Sequence, residues 1–91
     1  MAENTQNLKS TISQDTLDFY KRLIASDRRA IKSRKEFIKQ SRINLKRLKA
    51  EKGNNSFIEY FSERIIKDSE FIKEAQERIK ENKQTMAELE T

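Results

Sequence analysis

Large apolar side chains recur every seven residues along most of this chain. Leu17, Ile24, Ile31, Ile38 and Leu45 form one series, and Ile58, Ile65, Ile72, Ile79 and Met86 form a second. That period belongs to helices packed along a seam, where these residues take the a positions of a heptad. The two series have equal length and lie on either side of Gly53, the only glycine, so they predict two matched helices.

The residues between and around the series agree. Ser13, Asp15 and Thr16 offer N-caps for the first helix. Gly53 suits the left-handed residue just past its end, with Lys46, Arg47, Lys49 and Lys52 beside the exposed carbonyls of the last turns. Ser56-Phe57-Ile58-Glu59 has the form of a capping box. The spacing thus predicts helix 1 over about 16–52, a turn over 53–55 and helix 2 over about 56–89. So short a connection makes the helices antiparallel neighbours. Folding about Gly53 sets Leu45 against Phe61, Leu48 against Ile58, Ile31 against Ala75 and Leu17 against Leu89. The expected fold class is all-α: an antiparallel, coiled-coil-like two-helix hairpin over 15–91. Residues 1–14 are rich in Asn, Gln, Ser and Thr, with Leu8 and Ile12 as isolated apolar residues, and are expected to form a flexible polar N-terminal tail.

The seam is not uniformly apolar. Asp27, Arg34 and Ser41 on the first helix and Asp68 and Asn82 on the second fall at d positions. A lone charge there is costly, so Arg34 is expected to reach Asp68, and Asp27 to meet Arg78. Beside the seam lies a flank of Leu23, Ala30, Phe37, Phe57 and Phe71, with Phe37 placed opposite Phe71. Together with Tyr20 and Ile66 it holds more apolar surface than two helices can cover. Most helical stability comes from burying such a face. A second copy is therefore expected, giving a homodimeric four-helix bundle with two-fold symmetry. The self-association residues are Tyr20, Leu23, Phe37, Phe57, Ile66 and Phe71.

Composition narrows the chemistry. The chain of 91 residues is 34% hydrophobic and 38% charged, with no proline, which argues against folds built from many short elements. It contains no cysteine and no histidine, so disulfides, thiolate metal sites and His-based proton transfer are excluded. A two-helix rod offers no deep pocket for catalysis. We expect no enzymatic activity, no metal, no cofactor and no small-molecule ligand. The polar start and the lack of any apolar run near the roughly 20 residues that span a bilayer lead us to expect a cytoplasmic protein without a membrane role.

Net charge is +5, unevenly spread. Residues 1–52 carry fourteen Lys and Arg against six acids, and residues 53–91 six against nine. Lys21, Arg28, Lys35, Arg42 and Lys49 recur at the e positions of the first helix, thickened by Arg22, Arg29, Lys32, Lys39, Lys46 and Arg47. Facing them on the second helix are Ser62, Ser69, Gln76, Lys83 and Glu90, which neutralise little. Charge rows of this kind are commonly solvated faces that keep a rod soluble. The candidate binding stripe is Lys21, Arg28, Arg29, Lys32, Lys35, Lys39, Arg42, Lys46 and Lys49. It suits an acidic protein surface, or alternatively the phosphates of RNA or DNA. No zinc-finger, basic-zipper or phosphate-loop motif accompanies it. Glu51-Lys52-Gly53 also lacks the tryptophan of the Trp-x-Gly turn in small secreted helical hairpins, so the central glycine identifies no family. The sequence is read as a non-enzymatic helical protein-protein interaction module, a small dimeric adaptor or an inhibitor of a larger assembly.

Overall fold

The computed structural model describes the backbone of residues 2–90 and the side chains of residues 14–90. It consists of helix α1, Ala2–Ala50, and helix α2, Asn55–Glu90, packed against each other. The rod measures 75 × 15 × 14 Å. At 1.5 Å per residue, the 49 residues of α1 account for about 73 Å and the 36 of α2 for about 54 Å. The first helix therefore runs about 20 Å past the end of the second.

The seam follows the heptads. From Leu17 to Leu48, every a and d residue of α1 is buried or half-buried, and so is every a and d residue of α2 from Ile58 to Met86. Ile24, Ile31 and Ile38 are the most enclosed large apolar side chains, each contributing about 2 kcal/mol of burial. Ala75, Ser41 and Asp68 complete the buried set.

The element ends differ from expectation. The first helix starts at Ala2 rather than near residue 16, because no proline or glycine interrupts the chain before Gly53. The side chains of Leu8 and Ile12 lie outside the described residues. The turn is shifted as well. Glu51 N–H donates to Arg47 O, Lys52 N–H to Lys49 O at 3.3 Å and Gly53 N–H to Leu48 O at 2.6 Å. This is a Schellman termination, and its left-handed residue is Lys52, with φ 53°, not Gly53. Glycine at 53 has a different reason: an added Cβ would lie 2.8 Å from Leu48 Cδ2 and 3.1 Å from the Leu48 carbonyl oxygen. The cap of α2 is also moved. Asn54 Oδ1 accepts the Ser56 N–H at 2.7 Å, and the Asn54 carbonyl accepts from Phe57 and Ile58. Asn54, not Ser56, is the N-cap, and its side chain takes the Ser56 N–H that Glu59 would have taken in the expected box.

Two substitutions separate these roles. Lys52→Gly should raise stability by up to about 1 kcal/mol by relieving the left-handed strain. Gly53→Ala should lower it by about 1 kcal/mol through crowding against Leu48. Thermal melts followed by circular dichroism check both; the opposite signs would place the left-handed residue back at 53.

Candidate interaction faces

Two sides of the rod differ in chemistry. On one side the d, g and c rows of both helices come together, and here a chain of alternating charges and rings crosses the seam. Arg34 Nη1 donates to Asp68 Oδ1 at 2.7 Å, and Arg64 Nε donates to Asp68 Oδ2 at 3.2 Å. The Asp68 side chain is fully enclosed, while each arginine side chain stays 36% exposed. Arg78 grips Asp27 with two bonds, Nε to Oδ2 at 3.3 Å and Nη2 to Oδ1 at 3.2 Å. Both expected cross-seam pairs are thus formed.

The arginines also lie over the phenylalanines. Arg34 sits 4.3 Å from the centre of the Phe71 ring, Arg78 5.9 Å from the same ring and Arg64 5.1 Å from that of Phe37. These separations fall within the range of cation–π attraction. Phe37 and Phe71 are therefore not stacked on one another: among the described residues the ring pairs are Phe19–Tyr20 and Tyr60–Phe61, both edge-to-face. The result is one ladder, Phe37, Arg64, Asp68, Arg34, Phe71, Arg78 and Asp27, running along the flank. Hydrogen bonding to Asp68 raises the pKa of Arg64, and bonding to Asp27 raises that of Arg78. A raised folded-state value means that the pairs stabilise below the ordinary arginine range and are lost only as pH climbs through strong alkali. Among the described residues no buried side-chain polar atom lacks a partner.

The same side carries every aromatic residue of the chain. Phe19 and Tyr60 occupy c positions, Tyr20 and Phe61 d positions, and Phe37, Phe57 and Phe71 g positions. Phe19, Leu23, Phe37, Phe57 and Tyr60 are between 37% and 56% exposed. Its charges balance: Arg34, Arg47, Arg64, Lys67 and Arg78 stand against Asp27, Asp68, Glu74, Glu81 and Glu88.

The opposite side, formed by the e and b rows, has no aromatic residue. It carries eleven bases, the e row of α1 with Lys32, Lys39, Lys46, Lys73, Lys80 and Lys83, against Asp18, Glu59 and Glu90. Among the described residues none of the e-row cations of α1 belongs to an ion pair. Two shallow grooves open here between the helices. One is lined by Ile38, Ile43 and Ile72 with Lys35, Lys39 and Arg42 at its rim. The other is lined by Ile24, Ala25 and Met86 with Lys21, Arg28 and Lys83.

No family model, curated protein or solved structure matches this chain.

Of the six flank residues expected from the sequence, Leu23, Phe37, Phe57 and Phe71 share the aromatic side, and Tyr20 lies half-buried on the seam. Ile66 is placed elsewhere: it follows the seam residue Ile65 in a b position, 57% exposed on the basic side. Phe19 and Tyr60 belong to the face and were not singled out by the g-row pattern, since they lie in the c row. Of the stripe, Lys21, Arg28, Lys35, Arg42 and Lys49 lie at e and Lys32, Lys39 and Lys46 at b, while Arg29 sits at f on the outer back of α1; all are exposed. Among the described residues no helix is long and apolar enough to cross a membrane.

Proposed function

We propose that this hairpin is a non-enzymatic protein-protein interaction module that pairs with a second copy through its aromatic side, forming a four-helix bundle that acts as a small adaptor or as an inhibitor of a larger assembly. One observation carries the reading: the exposed aromatic side is the one with balanced charge. A two-fold interface places the same patch on both partners. A patch with eleven bases against three acids would repel its own copy, whereas one with five of each, half of them already paired within the chain, carries no net charge to oppose pairing. Exposed rings clustered on one side are the kind of surface that marks an interface.

Sedimentation equilibrium across a range around micromolar protein is expected to show a monomer–dimer transition, with a melting temperature that rises with concentration. A monomer throughout, with a concentration-independent melt, would refute pairing. Pairing by the aromatic sides leaves both basic sides outward for another partner. The alternative, a nucleic-acid binder using the stripe from Lys21 to Lys49, rests on the same unpaired cations. Comparing peptide and duplex probes separates the two.

A further inference from the structure

We infer that the basic side is a docking seat for one acidic amphipathic helix, lying along the groove between α1 and α2. This deepens the adaptor reading by naming the class of its second partner, and it uses the side opposite the aromatic one.

Three features of the surface converge on that occupant. First, the cations are arranged in a straight line. The e row of α1 repeats every seven residues, about 10.5 Å, over about 42 Å from Lys21 to Lys49. A partner helix with acids at the same heptad spacing stays in step with it along the whole length. The phosphate strands of a duplex curve away from a straight rod.

Second, the grooves are floored by apolar atoms and only rimmed by charge. Ile38 and Ile72 floor the first groove, where Ile43, 52% exposed, stands in the wall with Lys39 and Arg42, and half-buried Met86 lines the second with Lys21 and Arg28. A phosphodiester backbone gains nothing from such a floor. A helix with apolar residues on one face and carboxylates beside them satisfies floor and rim together. The two grooves are separated by two heptads on each helix, from Ile24 to Ile38 and from Ile72 to Met86, or about 21 Å. Apolar anchors two heptads apart on a single helix would reach both.

Third, this side has no ring on which to stack an unpaired base and no tryptophan to anchor in a bilayer interface. Charge and apolar complementarity therefore favour protein over single-stranded nucleic acid or membrane.

The test uses the full chain and a fluorescent synthetic helix of about 28 residues, about 42 Å, with Leu at a and d and Glu at e and g, so that the probe repels itself. Fluorescence anisotropy at about 150 mM salt is expected to show saturable binding at micromolar concentrations. Lys35→Glu combined with Arg42→Glu should weaken it at least about tenfold. Ile43→Ser should weaken it several-fold with an unchanged melting curve, because that side chain is half exposed already. The inference is overturned by no saturable binding, or by equal binding of polyglutamate, which would mean charge alone. It is equally overturned by a labelled duplex of about 20 base pairs binding more tightly than the peptide at the same salt, the polyanion outcome. Indifference to Ile43→Ser would place the probe elsewhere, including in exchange with α2. Failure to dimerise is read by sedimentation and leaves the anisotropy result standing, so the two ideas fail separately.

Discussion

Replacing Asp68 with asparagine is expected to destabilise the hairpin by about 2–3 kcal/mol, seen as a lower urea midpoint and melting temperature at fixed protein concentration. The side chain keeps its shape but loses the charge to which Arg34 and Arg64 both donate. Breaking a buried pair costs more than an exposed one because the survivors have given up water. Here both arginines are about one-third exposed and partly regain it, so the cost belongs at the low end of that range. The converse is equally informative. Asp68→Leu together with Arg34→Leu should be at least as stable as the parent, since apolar packing at these two positions needs no desolvated charge. That variant should lose part of its uniqueness, because only the Asp27–Arg78 pair then opposes a slip of one helix along the other. Hydrogen exchange would read this as weaker protection despite a higher melt. If Asp68→Asn melts within about 0.5 kcal/mol of the parent, an ordinary surface effect, the ladder is not what fixes the seam.

Phe37→Glu is expected to abolish self-association while leaving the hairpin folded. Arg64 lies over this ring at 5.1 Å, and the new carboxylate would find the same guanidinium within its own chain. In a two-fold interface, however, both copies would bring the anion into the middle of the aromatic strip. Burying it there should cost about 3 kcal/mol, a weakening of about a hundredfold in Kd. Sedimentation equilibrium checks the loss, and far-ultraviolet circular dichroism checks that helicity remains. Lys35→Glu, on the other side of the rod, serves as the matched control and should associate as the parent does. Association of Phe37→Glu equal to the parent's would rule out the aromatic side as the contact.

Much of the architecture can be read from the chain because one period dominates it. The isoleucine rows at 24, 31 and 38 define the buried line, and the polar d positions then have few places to go, which is why Arg34–Asp68 and Asp27–Arg78 follow from register alone. Arg64 does not follow from register. It lies four residues before Asp68 on the same helix, a visible spacing, but whether it turns inward depends on the space beside Phe37. The turn resisted for a related reason. Glycine is ordinarily the left-handed residue, yet here its lack of a side chain serves a close approach to Leu48, and Lys52 takes the unusual dihedral. Likewise Ser56 has the right neighbours for a cap, but Asn54 accepts the amide of Ser56 itself and starts the helix earlier. Local competition among adjacent side chains decided these points, and periodicity carries no information about it. The aromatic side was half visible: the g row names Phe37, Phe57 and Phe71, while Phe19 and Tyr60 join them only once the helices have a common axis.

The thinness of the rod has an electrical consequence. It is 14 to 15 Å across, whereas fields in physiological salt decay over about 8 Å. An approaching charged body therefore senses the nearer side and very little of the farther one. The molecule does not present itself as an object of charge +5 but as a ribbon with one strongly cationic edge and one electrically silent edge. An anion arriving from bulk would turn it about its long axis before contact, and the silent edge would be left pointing away, free for whatever assembles there.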